Sequence, residues 1–165
     1  MIEQSIREYL LPEQFNAAVR AGAAIMKIYK SSDDYDISLK SDHTPITIAD
    51  RLAHNTIKEH LGTTRIPVLS EEGREMLYNE RRNWDLFLLV DPLDGTKEFI
   101  KRNGEFCVSM ALAISGKLAC GVVTVPVQKT IYYAISGLGA YKCDFNLLSN
   151  GFSFGIGKKI SVSSR

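Results

Sequence analysis

Between Phe106 and Ile114 the large apolar side chains fall on every second residue. Phe106, Val108, Met110, Leu112 and Ile114 share one face, and Cys107, Ser109, Ala111 and Ala113 share the other. A period of two belongs to an extended strand, because successive side chains leave a pleated backbone on opposite faces. Ser115-Gly116-Lys117 signals a hairpin, and residues 118–127 make the return strand, with Pro126 near its end or at an edge. Turn residues at Gln128-Lys129 and at 136–139 introduce two more runs, 130–135 and 140–143. The pattern predicts an antiparallel meander of about four strands. Its small-residue face is the one expected to let helices pack close.

Two helices precede the meander. From Pro12 the positions Phe15, Ala18, Val19, Gly22, Ile25, Met26 and Tyr29 recur at spacings of three and four, a one-sided amphipathic helix. A second begins around Thr47 or Asp50 and runs to Leu61, where Gly62 ends it. Residues 37–40 read as a short strand, and 74–82 as an exposed helix or loop. Helix, helix, then mainly antiparallel strands is an α+β order. At 165 residues the chain has the size of one domain, with residues 144–159 rich in loop formers. A net charge of +1 gives no global argument for nucleic acid or a membrane surface. No apolar stretch has the length of a membrane span. Cys107, Cys120 and Cys143 show no paired spacing and read as reduced thiols. The expectation is a cytoplasmic protein with at most peripheral contact to the inner membrane.

The chemistry concentrates at two strand ends. Residues 86–90, LFLLV, read as a strand buried on both faces and run into DPLDGT at 91–96. Residues 66–69 read as a second strand and run into Ser70-Glu71-Glu72-Gly73. Adjacent strands would bring Glu71, Asp91 and Asp94 to one rim, where like charges raise one another's pKa. A hard divalent ion such as Mg²⁺ resolves that conflict. Pro92 stiffens the link between the aspartates, so Asp91, the Leu93 carbonyl and Asp94 could face one ion. Gly95 admits a phosphate close to the backbone, and amides at Gly95 and Thr96 would receive it if a helix starts there. Metal beside phosphate suits metal-assisted phosphoester hydrolysis.

Thr96 then offers a hydroxyl that Asp50 could polarise to orient the attacking water. Asp50 reads equally well as a helix-start acid. Glu72 is either a water-mediated ligand to a second ion or a solvent-facing acid. Lys97, Lys101 and Arg102 make a basic face that suits a doubly phosphorylated substrate or is simply solvated. His43, His54 and His60 lack zinc spacing and are left outside the site. Phosphatases of the haloacid dehalogenase class use two acids separated by one residue, whereas two residues separate Asp91 from Asp94.

LSEEG at 69–73 with WDLFLLVDPLDGTKEF at 84–99 resembles the inositol monophosphatase superfamily, the lithium-sensitive, Mg²⁺-dependent phosphatases. PITIAD at 45–50, the helices before it and the meander after it fit the same pattern, so the resemblance spans the chain. More narrowly, GTKEFIKRNGEF at 95–106 resembles the bisphosphate nucleotidases of that superfamily. The resemblance implies a site of two or three Mg²⁺ ions, with Glu71, Asp91 and the Leu93 carbonyl on the first and Asp94 on a second. It implies phosphate on the Gly95 and Thr96 amides, with Glu71, Leu93, Asp94 and Lys97 also lining the substrate. Asp50, Glu71 and Thr96 would carry catalysis. The implied reaction removes the 3′-phosphate from adenosine 3′,5′-bisphosphate to give AMP, a clearing step in sulfur metabolism. Its partner is then a small phosphorylated nucleotide rather than a nucleic acid. An inositol or sugar phosphatase, and a non-catalytic metal- or anion-binding remnant, are the alternatives.

Family members run on past the point matching Arg165 and carry a WDxAxG-like motif that this chain lacks; its single tryptophan is Trp84. The expectation is a fragment whose C-terminal domain is its missing partner, with weak Mg²⁺ binding and little activity alone. The oligomeric state is left open.

Overall fold

The computed structural model describes residues 2–31, 37–39, 45–148 and 151–162. A short helix, α1 (Ile2–Ser5), passes through a wide helical turn at Ile6–Leu10 into the long helix α2 (Leu11–Lys30). Helical structure therefore starts ahead of Pro12. Proline stands in the first turn of α2, just after the wide turn whose last bond runs from the Leu11 N–H to the Ile6 carbonyl. Strands β1 (Ile37–Leu39) and β2 (Pro45–Thr47) pair antiparallel and lead into α3 (Ile48–Leu61). Lys40 and His43 lie outside the described residues.

The start of α3 is fixed by its own side chains. Thr47 Oγ1 accepts the Ala49 N–H at 3.1 Å, and Asp50 Oδ2 accepts the Thr47 N–H at 2.7 Å, a reciprocal cap. Its end is less sharp than Gly62 predicts. Gly62 stays right-handed, the chain tightens through Gly62–Thr64, and the left-handed residue is Arg65 at φ 58°.

One sheet of seven strands follows: β3 (Val68–Ser70), β4 (Leu86–Asp94), β5 (Cys107–Ile114), β6 (Lys117–Val125), β7 (Thr130–Ile135), β8 (Gly139–Asp144) and β9 (Lys158–Ile160). They lie side by side in chain order, β3 parallel to β4 and every other neighbour antiparallel. Helices α4 (Tyr78–Arg81) and α5 (Thr96–Ile100) are short insertions on either side of β4. The fold is α+β, with α2 and α3 on a mostly antiparallel sheet.

Which face the helices cover reverses the sequence-based expectation. Val108, Met110 and Leu112 pair across to Thr124, Val122 and Cys120, and all six are buried. Helix α2 packs on this large-residue face: Gln14 Nε2 donates to Cys120 Sγ at 3.1 Å, and the Phe15 ring meets Tyr133 edge-on at 6.1 Å. The close approach is supplied by the helix, through buried Ala17, Ala18, Ala21 and Gly22. A Cβ on Gly22 would already stand 3.2 Å from Pro126. The small residues of the sheet, Ser109, Ala111, Gly121 and Ala134, line the opposite, uncovered face.

The loop-rich segment also packs more than its composition suggests. Phe152 lies 4.2 Å, centroid to centroid, from Phe15. The Tyr133 hydroxyl donates to the Ile156 carbonyl at 2.5 Å and accepts the Gly155 N–H at 3.1 Å. Aromatic anchors and one tyrosine hydroxyl thus pin the glycine-rich loop to the core before β9 joins the sheet.

Candidate active site

The acids gather where β3 and β4 end together. The two strands pair Val68 with Leu88 through Ser70 with Val90, and the Glu71 N–H continues the ladder to the Val90 carbonyl at 2.9 Å. DPLD is not the simple turn its composition suggests. Strand β4 runs through Asp94, with an irregularity between Asp91 and Asp94, so that Asp91 faces Ser109 and Asp94 faces Cys107 on β5. A bulge of this kind re-aims side chains without ending the strand, and it is a position where a strand proline is tolerated. Both aspartates are thereby placed on the uncovered side of the sheet. A cleft of about 510 Å³ there is lined by Glu71, Asp91, Ser109 and Ala111.

Asp91 is the most perturbed carboxyl in this corner. Its pKa is pushed up from 3.8 to about 7, first by burial, then by the Glu71 charge, a hydrogen bond with Glu71 and the Asp94 charge. Burial outweighs the repulsion that the sequence alone points to. Cys107, 3.9 Å from Asp94 Oδ2, is pushed up to about 11, again by burial first and then by the charges of Asp94 and Asp91. The corner therefore carries a negative field felt by two different groups.

Two expected metal donors also make local hydrogen bonds. Asp91 Oδ1 accepts the Leu93 N–H at 3.2 Å, and the Leu93 carbonyl accepts the Thr96 hydroxyl at 3.3 Å. Among the described residues, no three His, Cys, Asp or Glu side chains stand together in a metal-holding geometry. The donor chemistry nevertheless fits a hard divalent ion. Glu71 and Asp91 are in hydrogen-bond contact with Asp94 close by, an oxygen-only donor set of the kind a hard divalent ion takes.

The helix side of the corner is tightly made. Asp50, fully buried, uses its two oxygens separately. Oδ2 takes the Thr47 N–H and hydroxyl that cap α3, while Oδ1 accepts the Thr96 hydroxyl at 2.9 Å. The two readings of Asp50 left open by the sequence are thus compatible in one side chain. Gly95, at φ 93°, turns the chain from β4 into α5, and a Cβ there would lie 2.8 Å from the Glu105 carbonyl. The amides of the first turn of α5 have no acceptor within the helix. Lys97 is exposed beside them.

The remaining bases divide. Arg102 donates to the Tyr29 carbonyl at 2.6 Å and lies over the Tyr29 ring at 5.1 Å, tying α5 to the end of α2. Lys101 reaches Glu98 at 3.5 Å. One residue passed over in the sequence reading stands next to the corner. His54 Nδ1 and Ser70 Oγ share a hydrogen bond at 2.8 Å. Burial, and then the Lys58 charge, lower the His54 pKa. The available signal was its position four residues after Asp50, hence on the same face of α3.

Comparison with known proteins gives the corner a context. The 3′(2′),5′-bisphosphate nucleotidase CysQ of Salmonella typhimurium is 48% identical over 130 residues, covering 78% of this chain and 52% of that protein. The crystal structure of CysQ from Bacteroides thetaiotaomicron superposes with a TM-score of 0.71 at 50% identity, over 80% of this chain and 48% of that one. An IMPase/NADP phosphatase solved in complex with Mg²⁺ and phosphate matches with a TM-score of 0.68 at 21% identity, covering 86% of this chain and 52% of that one, a likeness of fold alone. The chain spans about half the length of the curated relatives it matches. Residues 7–165 match the inositol monophosphatase family, and with that match and the shared fold this chain belongs to that family.

Proposed function

We propose that this chain carries the phosphate-handling part of a Mg²⁺-dependent phosphomonoesterase acting on a 3′(2′),5′-bisphosphate nucleotide, releasing phosphate from adenosine 3′,5′-bisphosphate to leave AMP. The observation that carries the reading is the Asp50–Thr96 hydrogen bond, 2.9 Å long, between the capped helix and the turn that follows the acids. Because the Thr96 hydroxyl gives its proton to Asp50, its lone pairs face outward to accept from a water. That water attacks phosphorus, its proton passes toward Thr96 and Asp50, and the P–O bond to the ribose 3′-oxygen breaks, that oxygen leaving with a proton from solvent. Glu71, Asp91, Asp94 and the Leu93 carbonyl would hold Mg²⁺, the latter after releasing Thr96. Mg²⁺ bound there supplies charge neutralisation of the phosphoryl group and the departing oxygen. Gly95, Thr96 and Lys97 orient the phosphate through amides and one ammonium. The substrate assignment is supported by likeness to CysQ and by GTKEFIKRNGEF at 95–106.

The test is phosphate release from adenosine 3′,5′-bisphosphate and from inositol 1-phosphate, by the full-length natural protein containing these residues. Preference for the nucleotide is expected, together with a loss of about 10²–10⁴-fold in kcat for Thr96→Val, the range general acid–base assistance supplies. Preference for inositol 1-phosphate would replace the substrate, and an unchanged kcat for Thr96→Val would remove the mechanism.

A further inference from the structure

Helix α3 reaches the acid corner twice. Asp50 holds Thr96 beyond β4, and one turn later His54 holds Ser70 at the end of β3. Ser70 pairs with Val90, which is buried on the helix side. Successive residues of a strand face opposite ways, so fixing Ser70 toward α3 aims Glu71 to the other side, where Asp91 lies. The turn after it lies close to the same imidazole. Gly73 donates its N–H to the Ser70 carbonyl at 3.0 Å, and a Cβ at Gly73 would lie 3.8 Å from His54 Cε1. Behind this turn lies a cavity of about 330 Å³, lined by His54, Lys58, Val68, Ser70, Gly73 and Arg74. The hydrogen bond between His54 and Ser70 ties α3 directly to the start of the turn.

We infer that His54 is a positioning residue for the metal corner: through Ser70 it fixes the end of β3 and so the direction in which Glu71 presents its carboxylate to a divalent cation. The inference rests on the proposed metal-dependent function, since it assigns Glu71 to a cation. Groups that orient a metal ligand change affinity without touching the metal, typically by about 10–100-fold. His54 acts through its Nδ1 atom, which the amide of asparagine can replace and the isobutyl group of leucine cannot.

The experiment measures Mn²⁺ binding by electron paramagnetic resonance, in the full-length natural protein. It compares the wild type with His54→Leu, His54→Asn and Ser70→Ala, with a thermal melt of each. His54→Leu and Ser70→Ala are each expected to weaken Mn²⁺ binding about tenfold. The double variant is expected to be no worse than either alone, because both break one bond. His54→Asn is expected to stay within about threefold of the wild type, below the loss typical of a broken outer contact. If His54→Leu binds Mn²⁺ like the wild type while Glu71→Gln does not, the positioning role is overturned and the metal site stands. If the wild type binds no Mn²⁺, the metal-dependent reading fails and the inference falls with it. A His54→Leu variant that does not fold leaves Ser70→Ala to decide: wild-type affinity there overturns the inference, and a tenfold loss supports it.

Discussion

Burial, with the Glu71 and Asp94 charges adding to it, raises the pKa of Asp91. In the absence of a divalent ion, its pKa near 7 lies above its ordinary 3.8, so folding favours the protonated acid. The unfolded chain gives up that proton near pH 4 and the folded chain near pH 7. The contribution is therefore fully present below about pH 4 and disappears as pH rises through 7. Melting temperature of metal-free wild type, relative to Asp91→Asn, is expected to fall across that window, and saturating Mg²⁺ is expected to abolish the fall. An identical pH dependence for the two proteins would remove Asp91 as its source. Gly95 makes a second residue-scale prediction. With φ at 93° and a Cβ meeting the Glu105 carbonyl, Gly95→Ala combines a left-handed penalty of about 1–2 kcal/mol with a clash against backbone. Chemical denaturation should show a loss of at least that size.

At the scale of elements, the start of α3 combines stability and chemistry in a separable way. Asp50→Ala leaves the Thr47 N–H and the Thr47 hydroxyl without their acceptor and the Thr96 hydroxyl with the Leu93 carbonyl alone. A lost cap of about 1 kcal/mol and buried donors at about 1–3 kcal/mol predict a loss of about 2–4 kcal/mol in urea unfolding. Thr96→Val keeps the shape and leaves one buried oxygen of Asp50 without its donor, so its loss should be about 1–3 kcal/mol and smaller than that of Asp50→Ala. Equal destabilisation by the two would contradict this assignment of the hydrogen bonds. Much of the element pattern is legible in the chain. Alternation at 106–114, the helical spacing from Phe15 to Tyr29 and the turn residues between strands each follow from local geometry. The choice of sheet face does not. Small residues permit close approach wherever they lie, and here Ala17, Ala18, Ala21 and Gly22 bring α2 down on the large face instead. The course of β4 through Pro92 was hidden because proline and glycine read as a turn, whereas a bulge keeps the strand paired with β5.

Across the whole molecule the sheet is asymmetric, with α2 and α3 on one side and a row of small side chains open on the other. Leu118 is 62% exposed, and a groove of about 300 Å³ bordered by Ala111, Gly121, Tyr132 and Ala134 lies on that side. Apolar surface of this kind binds hydrophobic dyes. Dye fluorescence with the 165-residue chain is expected to rise on binding and to drop when Ala134→Glu places a charge in the groove. No change would place the binding elsewhere. The acid types of the site were readable because strand ends and acids are both local features. His54 was not readable, because a lone histidine on a helix carries no mark of the strand it will meet. Its bond to Ser70 exists only once α3 lies across the ends of β3 and β4.

The divided use of Asp50 also bears on how such a chain would change over generations. One oxygen serves the helix and the other serves Thr96. A lineage released from any demand on its chemistry would still need an acid at this position to keep α3 in place, while the fold would hold Thr96 to a hydroxyl through fewer contacts. Decay of the chemistry would be written first at Thr96 and only later, if ever, at Asp50.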